Sequence, residues 1–529
     1  MTEFELWQDR HARGRLGRRA FLGRAAALGL SAPAIAAVVA SRGAQAAETP
    51  RQGGTLRLGL GGGSTTDSLD PRSYTDSVMI GVGHALFNAL VEWGQDGKPY
   101  PELAESWEAR PGAVEWVLNI RKGVTFSNGK TLDADDVIYS LNLHRGKTTS
   151  GAAGAFQEIA DVKKLGPNQV QVTLNGGDAD FPYVLTDYHV LIVPNEWTDW
   201  SKPVGTAGYV LETFDPGVRF TGKRNPNYWK PDRAFVDVVD ITVINDSSAR
   251  LNALLTGQVD AINRVEAKFV RTVERNPKVE LVTAQSGWHA CISMMHDRPP
   301  FDNHDLRMAL KYGIDREQII KAVFSGHAVL GNDQPIPRSD PYWNPNLPQI
   351  SYDADRAKFF MKKSGLSRPK LVLQCSDGVF PGCVDEAQLF QQSAAKAGID
   401  IELRKEPADG FWSNVWLKGP FVTSYWGGRA AATQMLQVAY GPDAPWNESH
   451  FRTPRFTELL KAAKAETDEA KRKPMIWEMQ EILYSDGATI IPLFGIWLEA
   501  HSNNVGGHRP YSGFDMDNGY IAEQAWLKS

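Results

Sequence analysis

Cysteine is scarce: Cys291, Cys375 and Cys383 are the three among 529 residues, too few for a small secreted fold built on disulfides. After residue 46 no apolar run approaches the ~20 residues that a membrane span needs. An excess of positive charge is missing too. Lys and Arg number 57 against 62 Asp and Glu, a net of −5, which gives no electrostatic case for nucleic acid. The eleven His, among them His84, His144, His189, His289, His296, His304 and His327, show no HExxH or other ligand spacing. There is no Gly-x-Ser-x-Gly elbow and no Cys beside a plausible base, which removes the commonest hydrolase arrangements. Gly61-Gly62-Gly63 lacks the Lys-Ser/Thr of a phosphate loop, and Ser64 stands where a dinucleotide fingerprint needs its third Gly. Asp135 and Asp136 are adjacent, but helix neighbours point about 100° apart, so they charge a helix start instead of sharing a proton. Internal repeats and low-complexity linkers are absent. With 42% hydrophobic and 22% charged residues the composition is ordinary globular usage, which excludes disordered, collagen-like and coiled-coil classes.

What is present begins with a leader. Residues 1–46 hold seven Arg and no Lys against Glu3, Glu5 and Asp9, a net of +4; the other 483 hold 50 basic and 59 acidic groups, a net of −9. Arg18-Arg19-Ala20-Phe21-Leu22 precedes an apolar run over 25–40 and the small residues Ala44-Gln45-Ala46, the order of an export signal. The Arg-Arg pair resembles a twin-arginine signal, the kind that carries folded cargo. Cleavage near Ala46 and a soluble periplasmic product are expected; the alternative is a permanent anchor, for which the run is short and rich in Ala. In an oxidising compartment Cys375 and Cys383 can bridge the short loop 376–382, whose Gly378, Pro381 and Gly382 bring its ends together; the alternative is two free thiols. Cys291, among Ala290, Ile292 and Met294, reads as a small buried hydrophobe.

Further along, strands and helices alternate. A strand is expected over 54–60 and another over 116–120, with a turn at Ser127-Asn128-Gly129-Lys130. Asp133 caps a helix with Val137, Ile138 and Leu141 on its apolar face. Two helices fill 303–325, the second capped by Asp315 with Gln318 and ended by Gly326. Strand 370–374, helix 385–397 and strand 399–403 make a βαβ unit. A long helix over 467–484, kinked at Pro474, leads into a strand over 488–494. The fold class is α/β.

Many short blocks then fall in one order. They include Ser68-Leu69-Asp70-Pro71, Leu86-Phe87-Asn88-Ala89-Leu90-Val91, Leu103-Ala104-Glu105-Ser106-Trp107 and Ile120-Arg121-Lys122-Gly123-Val124. Ala134-Asp135-Asp136-Val137-Ile138-Tyr139-Ser140, Arg224-Asn225-Pro226-Asn227-Tyr228-Trp229 and Ala253-Leu254-Leu255-Thr256-Gly257-Gln258-Val259-Asp260 follow, then Pro300-Phe301-Asp302 running into Arg307-Met308-Ala309-Leu310. From about residue 53 to 500 the chain resembles the extracellular solute-binding proteins of family 5, the dipeptide, oligopeptide and nickel group serving ABC importers. That resemblance implies a two-lobed periplasmic-binding-protein clamp, type II-like in its large three-subdomain form, with interlobe crossover strands. Lobe I would comprise 47–90, 201–287 and 489–529, with an inserted subdomain at 91–200; lobe II would comprise 288–488. The implied partners are a small-molecule or peptide-like ligand and ABC permease subunits, with membrane contact only through the permease. A monomer with no cofactor and no metal is expected, although nickel members of the family hold metal through chelators. A sensory protein using the same clamp is the alternative function, and a secreted hydrolase a more distant one.

One departure bears on the ligand. Many peptide-binding members carry a Trp followed three residues later by an Asp that pairs with the ligand's α-amino group. The matching stretch is Ser424-Tyr425-Trp426-Gly427-Gly428-Arg429, so a guanidinium suited to carboxylate or phosphate stands there. An acidic ligand group follows, as in an opine, an acidic amino-acid conjugate or a modified peptide; the alternative is pairing with an Asp or Glu of its own lobe. Gly205-Thr206-Ala207-Gly208-Tyr209, in place of the family's usual Gly-Thr-Gly-Pro-Tyr, is a milder departure. Trp426 and Tyr425 are expected beside Arg429 as pocket wall. Trp288 and His289 lie near the implied crossover, Trp412 and Trp446-Asn447 flank the Arg429 segment, and Asp67 and Tyr74 belong to loop 64–74 at the implied cleft mouth. For these residues, packing in the core or on the surface is the other reading.

Overall fold

The computed structural model describes residues 50–528 apart from 408–410, 443 and 445. The leader and its cleavage site lie outside the described residues. The chain lays down β1 (Thr55–Leu60) and helix α1 (Ser77–Leu86), whose first turn is capped by the Asp76 carboxylate. It then builds a separate four-stranded antiparallel sheet from β2 (Ala104–Ala109), β3 (Glu115–Ile120), β4 (Ile159–Gly166) and β5 (Gln169–Leu174). Helix α2 (Ala134–Asn142) packs on β4 and β5, and its start is a full capping box between Asp133 and Asp136. The single turn α3 (Phe181–Val184) closes this body.

Next come β6 (Tyr209–Asp215), β7 (Arg219–Arg224), β8 (Val238–Val243) and the short β9 (Ala261–Ile262). The long β10 (Val279–Met294) leads into α4 (His304–Gly313), α5 (Arg316–Val323) and β11 (Ala328–Leu330). Then follow β12 (Leu371–Cys375), α6 (Cys383–Lys396), β13 (Ile401–Lys405) and β14 (Phe421–Trp426). Helices α7 (Ala432–Tyr440), α8 (Pro454–Ala465) and α9 (Glu469–Asp486) precede β15 (Thr489–Ile490) and β16 (Leu493–Ser502).

Among the described residues, twelve strands form one mixed sheet, with the path β13-β12-β14-β10-β16-β9-β1-β8-β7-β6. β10 serves both halves. Its first part pairs with β16 from Val279 opposite Ser502 to Gln285 opposite Ile496; after a register break between Gln285 and His289, its second part pairs with β14 from His289 to Met294. A two-lobed clamp with crossover strands is thus written in the sheet. Its parallel members are β1 with β8 and β9 in one half, and β12 with β13 and β14 in the other.

Apolar burial follows the same division. Leu58, Val82, Phe87 and Ile241 belong to one core around β1 and β8; Trp116, Leu118, Val172 and Phe181 fill the four-stranded body. The other half of the large sheet is covered on one side by a core of Ile292, Leu310, Leu373 and Phe390. Met435, Leu460, Ile476 and Phe494 cover the other side. No helix among the described residues is long and apolar enough to cross a membrane.

Three expectations change. The strand over 488–494 is two pieces, β15 and β16, because Pro492 has no N–H to give a ladder. The long helix runs on through Pro474, sixth in α9, while Arg472, Ile476, Met479 and Leu483 keep one buried face. The Cys375–Cys383 bridge is not formed. All three cysteines are buried free thiols. Cys383 Sγ donates instead to Thr423 Oγ1 at 3.1 Å, and burial pushes its thiol up to about 12.

Candidate ligand-binding cleft

In open α/β sheets ligands sit beyond the carboxyl ends of the parallel strands. For β12, β13 and β14 that edge holds the segments after Cys375, Lys405 and Trp426. β14 ends with its last two residues on opposite faces: Tyr425 is 39% exposed and Trp426 is 5% exposed. The next turn, Gly427-Gly428-Arg429, lies against the crossover. A Cβ on Gly287 would come within 2.7 Å of Gly428 Cα, so glycine at both positions lets two backbones touch. Arg429, Gly428 and Ala430 share a small cavity with Trp93, Ser512, Pro341 and Asp340, whose carboxylate makes no ion pair with the guanidinium.

Arg429 Nη1 donates to the carbonyls of Gly427 at 3.0 Å and Gly428 at 3.1 Å, and the guanidinium lies 5.8 Å from the Trp426 ring centroid. No Asp or Glu among the described residues comes within ion-pair distance of it. Burial pulls its pKa down; Asp187 and Tyr188 partly offset this. The internal pairing that the sequence left open is therefore not made among these residues.

Beside Arg429 the aromatic rings form a continuous wall. Trp288 lies 6.3 Å from Tyr425, Tyr425 5.6 Å from Trp412, Trp412 5.4 Å from Trp416, Trp416 6.2 Å from Trp446, and Trp446 6.1 Å from Trp426. Trp412 and Trp446 keep 39% and 45% exposure, so with Tyr425 they have ring surface free for a ligand. Behind the wall lies Glu448. Its buried carboxylate accepts from Trp416 Nε1 at 2.5 Å, Ser424 Oγ at 2.8 Å and Trp426 Nε1 at 3.1 Å. Burial raises its pKa and those three donors lower it, with burial prevailing.

Several expected contacts are structural instead. Tyr74 is buried under α1, its hydroxyl donating to Leu69 O, and its ring fills the space a Cβ on Gly83 would need. His289 is buried against Phe494, with Nδ1 2.9 Å from Gly287 O; burial drops its pKa to about 4 and keeps it neutral. Asn447 is buried and donates to Phe451 O, shaping its own loop. None of these three offers a surface to a ligand. The half-buried Asp67 accepts from Ser64 N at 2.8 Å and closes its own turn. Trp288 is half-buried between Phe380, Tyr425 and Gly495. The sequence did not single out Glu448, Trp416, Tyr188, Trp93 or Ser512. Glu448 follows the flagged Trp446-Asn447 directly, but no spacing marks a carboxylate that serves indoles 22 and 32 residues away.

The family model for bacterial extracellular solute-binding proteins, family 5, matches residues 98–470, more than half of the chain. This chain belongs to that family. Among curated proteins it is similar to the glutathione-binding protein GsiB of Pectobacterium atrosepticum, 25% identical over 466 residues, covering 84% of this chain and 90% of GsiB. Among solved structures it is similar to the PBP AgaA in complex with agropinic acid from A. tumefaciens R10, with TM-score 0.73 and 24% identity over 90% of this chain and 99% of AgaA. It also resembles HbpA2 from Haemophilus parasuis, with TM-score 0.81 and 20% identity over 90% of this chain and all of the other. The family 5 clamp is a binding machine: two lobes close on a solute, and the ligand selects the closed form.

Proposed function

We propose that this family 5 protein is the exported, periplasmic substrate-binding component of an ABC importer. Its cargo is a peptide-like or acidic amino-acid-derived solute, delivered to the permease by binding and release without chemistry on it. The observation that carries the acidic cargo is Arg429, a half-buried cation with no carboxylate partner among the described residues, facing the other lobe beside an aromatic wall. An unpaired charge in that position is costly unless a ligand supplies the counter-ion. Glutathione and agropinic acid, named for the two similar proteins, are both acids built on amino acids. Lobe limits at 90/91, 200/201, 287/288 and 488/489 belong to the same proposal, supported at 287/288 by the register break in β10, as does removal of residues 1–46.

Thermal denaturation of residues 47–529 with reduced glutathione, opines, plain dipeptides and nickel–histidine tests the cargo. A ligand at 100 times its Kd adds about 2.7 kcal/mol. Acidic conjugates are expected to raise the melting point of the native protein and to lose that effect in Arg429→Met, which itself melts no lower than the native chain. Equal shifts from uncharged peptide amides, or undiminished binding by Arg429→Met, would sink the acidic-cargo reading. Lost uptake of the solute on deleting the protein tests transport.

A further inference from the structure

Away from the crossover, one contact between the four-stranded body and the region of α7–α9 is ionic and buried. Asp180 opens α3 in the four-stranded body, and Arg472 lies in the first turn of α9. Arg472 Nη1 donates to Asp180 Oδ1 at 2.6 Å, and Nη2 donates to Asp180 Oδ2. Thr433 of α7 adds its hydroxyl to the same Oδ2. The two charged side chains are 1% and 5% exposed. The remaining guanidinium donor is used as well, Nε bonding Ala463 O at 2.8 Å, and Tyr342 stacks on the cation at 5.1 Å. One backbone bond, Ala179 N to Lys464 O at 2.5 Å, lies alongside.

The apolar groups stop on either side of this junction. Phe181 and Leu185 belong to the core of the four-stranded body, whereas Met435, Leu460 and Ile476 belong to a core of the other lobe. No buried cluster contains members of both. A saturated polar contact between separately cored bodies can be exchanged for water without opening either core, which is the character of a movable interface. The large sheet connects the lobes through β10 and β16, and β10 has its register break at the junction, where a strand bends most readily.

We propose that Asp180, Arg472 and Thr433 form a latch: the contact is made when the lobes close, is broken when the crossover flexes open, and sets the closed-to-open ratio independently of any cargo contact. Its members are positioning residues; Thr433 stands four residues after Arg429, but none of the three hydrogen-bonds to that guanidinium.

The test is pulsed electron-spin distance measurement on the exported chain, spin-labelled at Lys163→Cys in β4 and Lys396→Cys in α6, both exposed; the three native thiols are buried. No ligand is added, so the outcome is separate from whether an acidic solute is the cargo. The native chain should show a closed-distance population. Asp180→Asn and Arg472→Gln should each lower its ratio to the open one at least about tenfold, and the exchanged pair Asp180→Arg with Arg472→Asp should recover part of it. Thr433→Val, which keeps volume and removes one donor, should give a smaller shift in the same direction and serves if the charge variants fail to fold. Identical distance distributions in the native chain and the variants, or a native chain without a closed population, would overturn the latch.

Discussion

At the scale of single residues, Glu448 shows how a buried carboxylate can act through its neighbours. It fixes the indoles of Trp416 and Trp426, and Trp426 in turn lies under Arg429. Glu448→Ala leaves two buried donors, Ser424 Oγ and Trp426 Nε1, and the half-buried Trp416 Nε1 without their acceptor, each buried one worth about 1–3 kcal/mol. Urea unfolding should therefore show a loss of about 3 kcal/mol or more, and Glu448→Gln, which keeps one acceptor oxygen, a smaller one. A loss below about 1 kcal/mol in Glu448→Ala would mean that water replaces the carboxylate. Arg429, Trp426 and Tyr425 stood out in the sequence because their types depart from, or fit, a local pattern; of the three, Trp426 is buried in a core and bonded to Glu448 instead of lining open space. For Tyr74, His289 and Asn447 the sequence left both ligand contact and packing open and the structure packs all three, since whether a polar residue faces a cleft or a core depends on packing partners such as Gly83 and Phe494, far off in the chain. Glu448 was invisible for the same reason.

At the scale of elements, the helices and the βαβ unit were legible because their signals are local: Asp133 with Asp136 at α2, Gly382 and Gly398 bracketing α6. The break at Pro492 was underweighted. Pairing was not legible at all, because the β10 register against β14 and β16 joins segments more than a hundred residues apart. Helix α6 also carries a feature with no local signature, Glu386. Its carboxyl is buried without a hydrogen-bond partner among the described residues, and burial moves its pKa from 4.5 to about 8. The folded protein holds a proton that the unfolded chain has released, so this contribution is full below pH 4.5 and drains away as pH rises through 8, at about 1.4 kcal/mol per unit. Urea midpoints should fall between pH 5 and 8 in the native chain and fall less in Glu386→Gln; parallel pH profiles would assign the change to other groups.

At the scale of the whole molecule, the proposed latch predicts that closure is coupled to protons. Around the Asp180–Arg472 pair stand Asp178, Asp340, Lys464, Tyr183 and Tyr342. Burial, helped by the Asp180 charge, raises Asp178 to about 6 and Asp340 to about 7, against the pull of Lys464 and Arg472 on the first and Arg472 on the second. Opening the lobes rehydrates both carboxyls, so the closed form is the more protonated and is favoured below pH 6. The closed-distance population should shrink as pH rises from 6 to 8, and Asp340→Asn should flatten that dependence; a population constant over this range would show that the two carboxyls stay buried in both forms. The three cysteines have a different consequence. Because all are buried thiols and none is tied to another, the fold owes nothing to an oxidising environment and can be completed inside the reducing cytoplasm. Under the proposed export, a twin-arginine leader at Arg18-Arg19 would call for that property: passage across the membrane would leave no covalent mark on the cargo-binding domain.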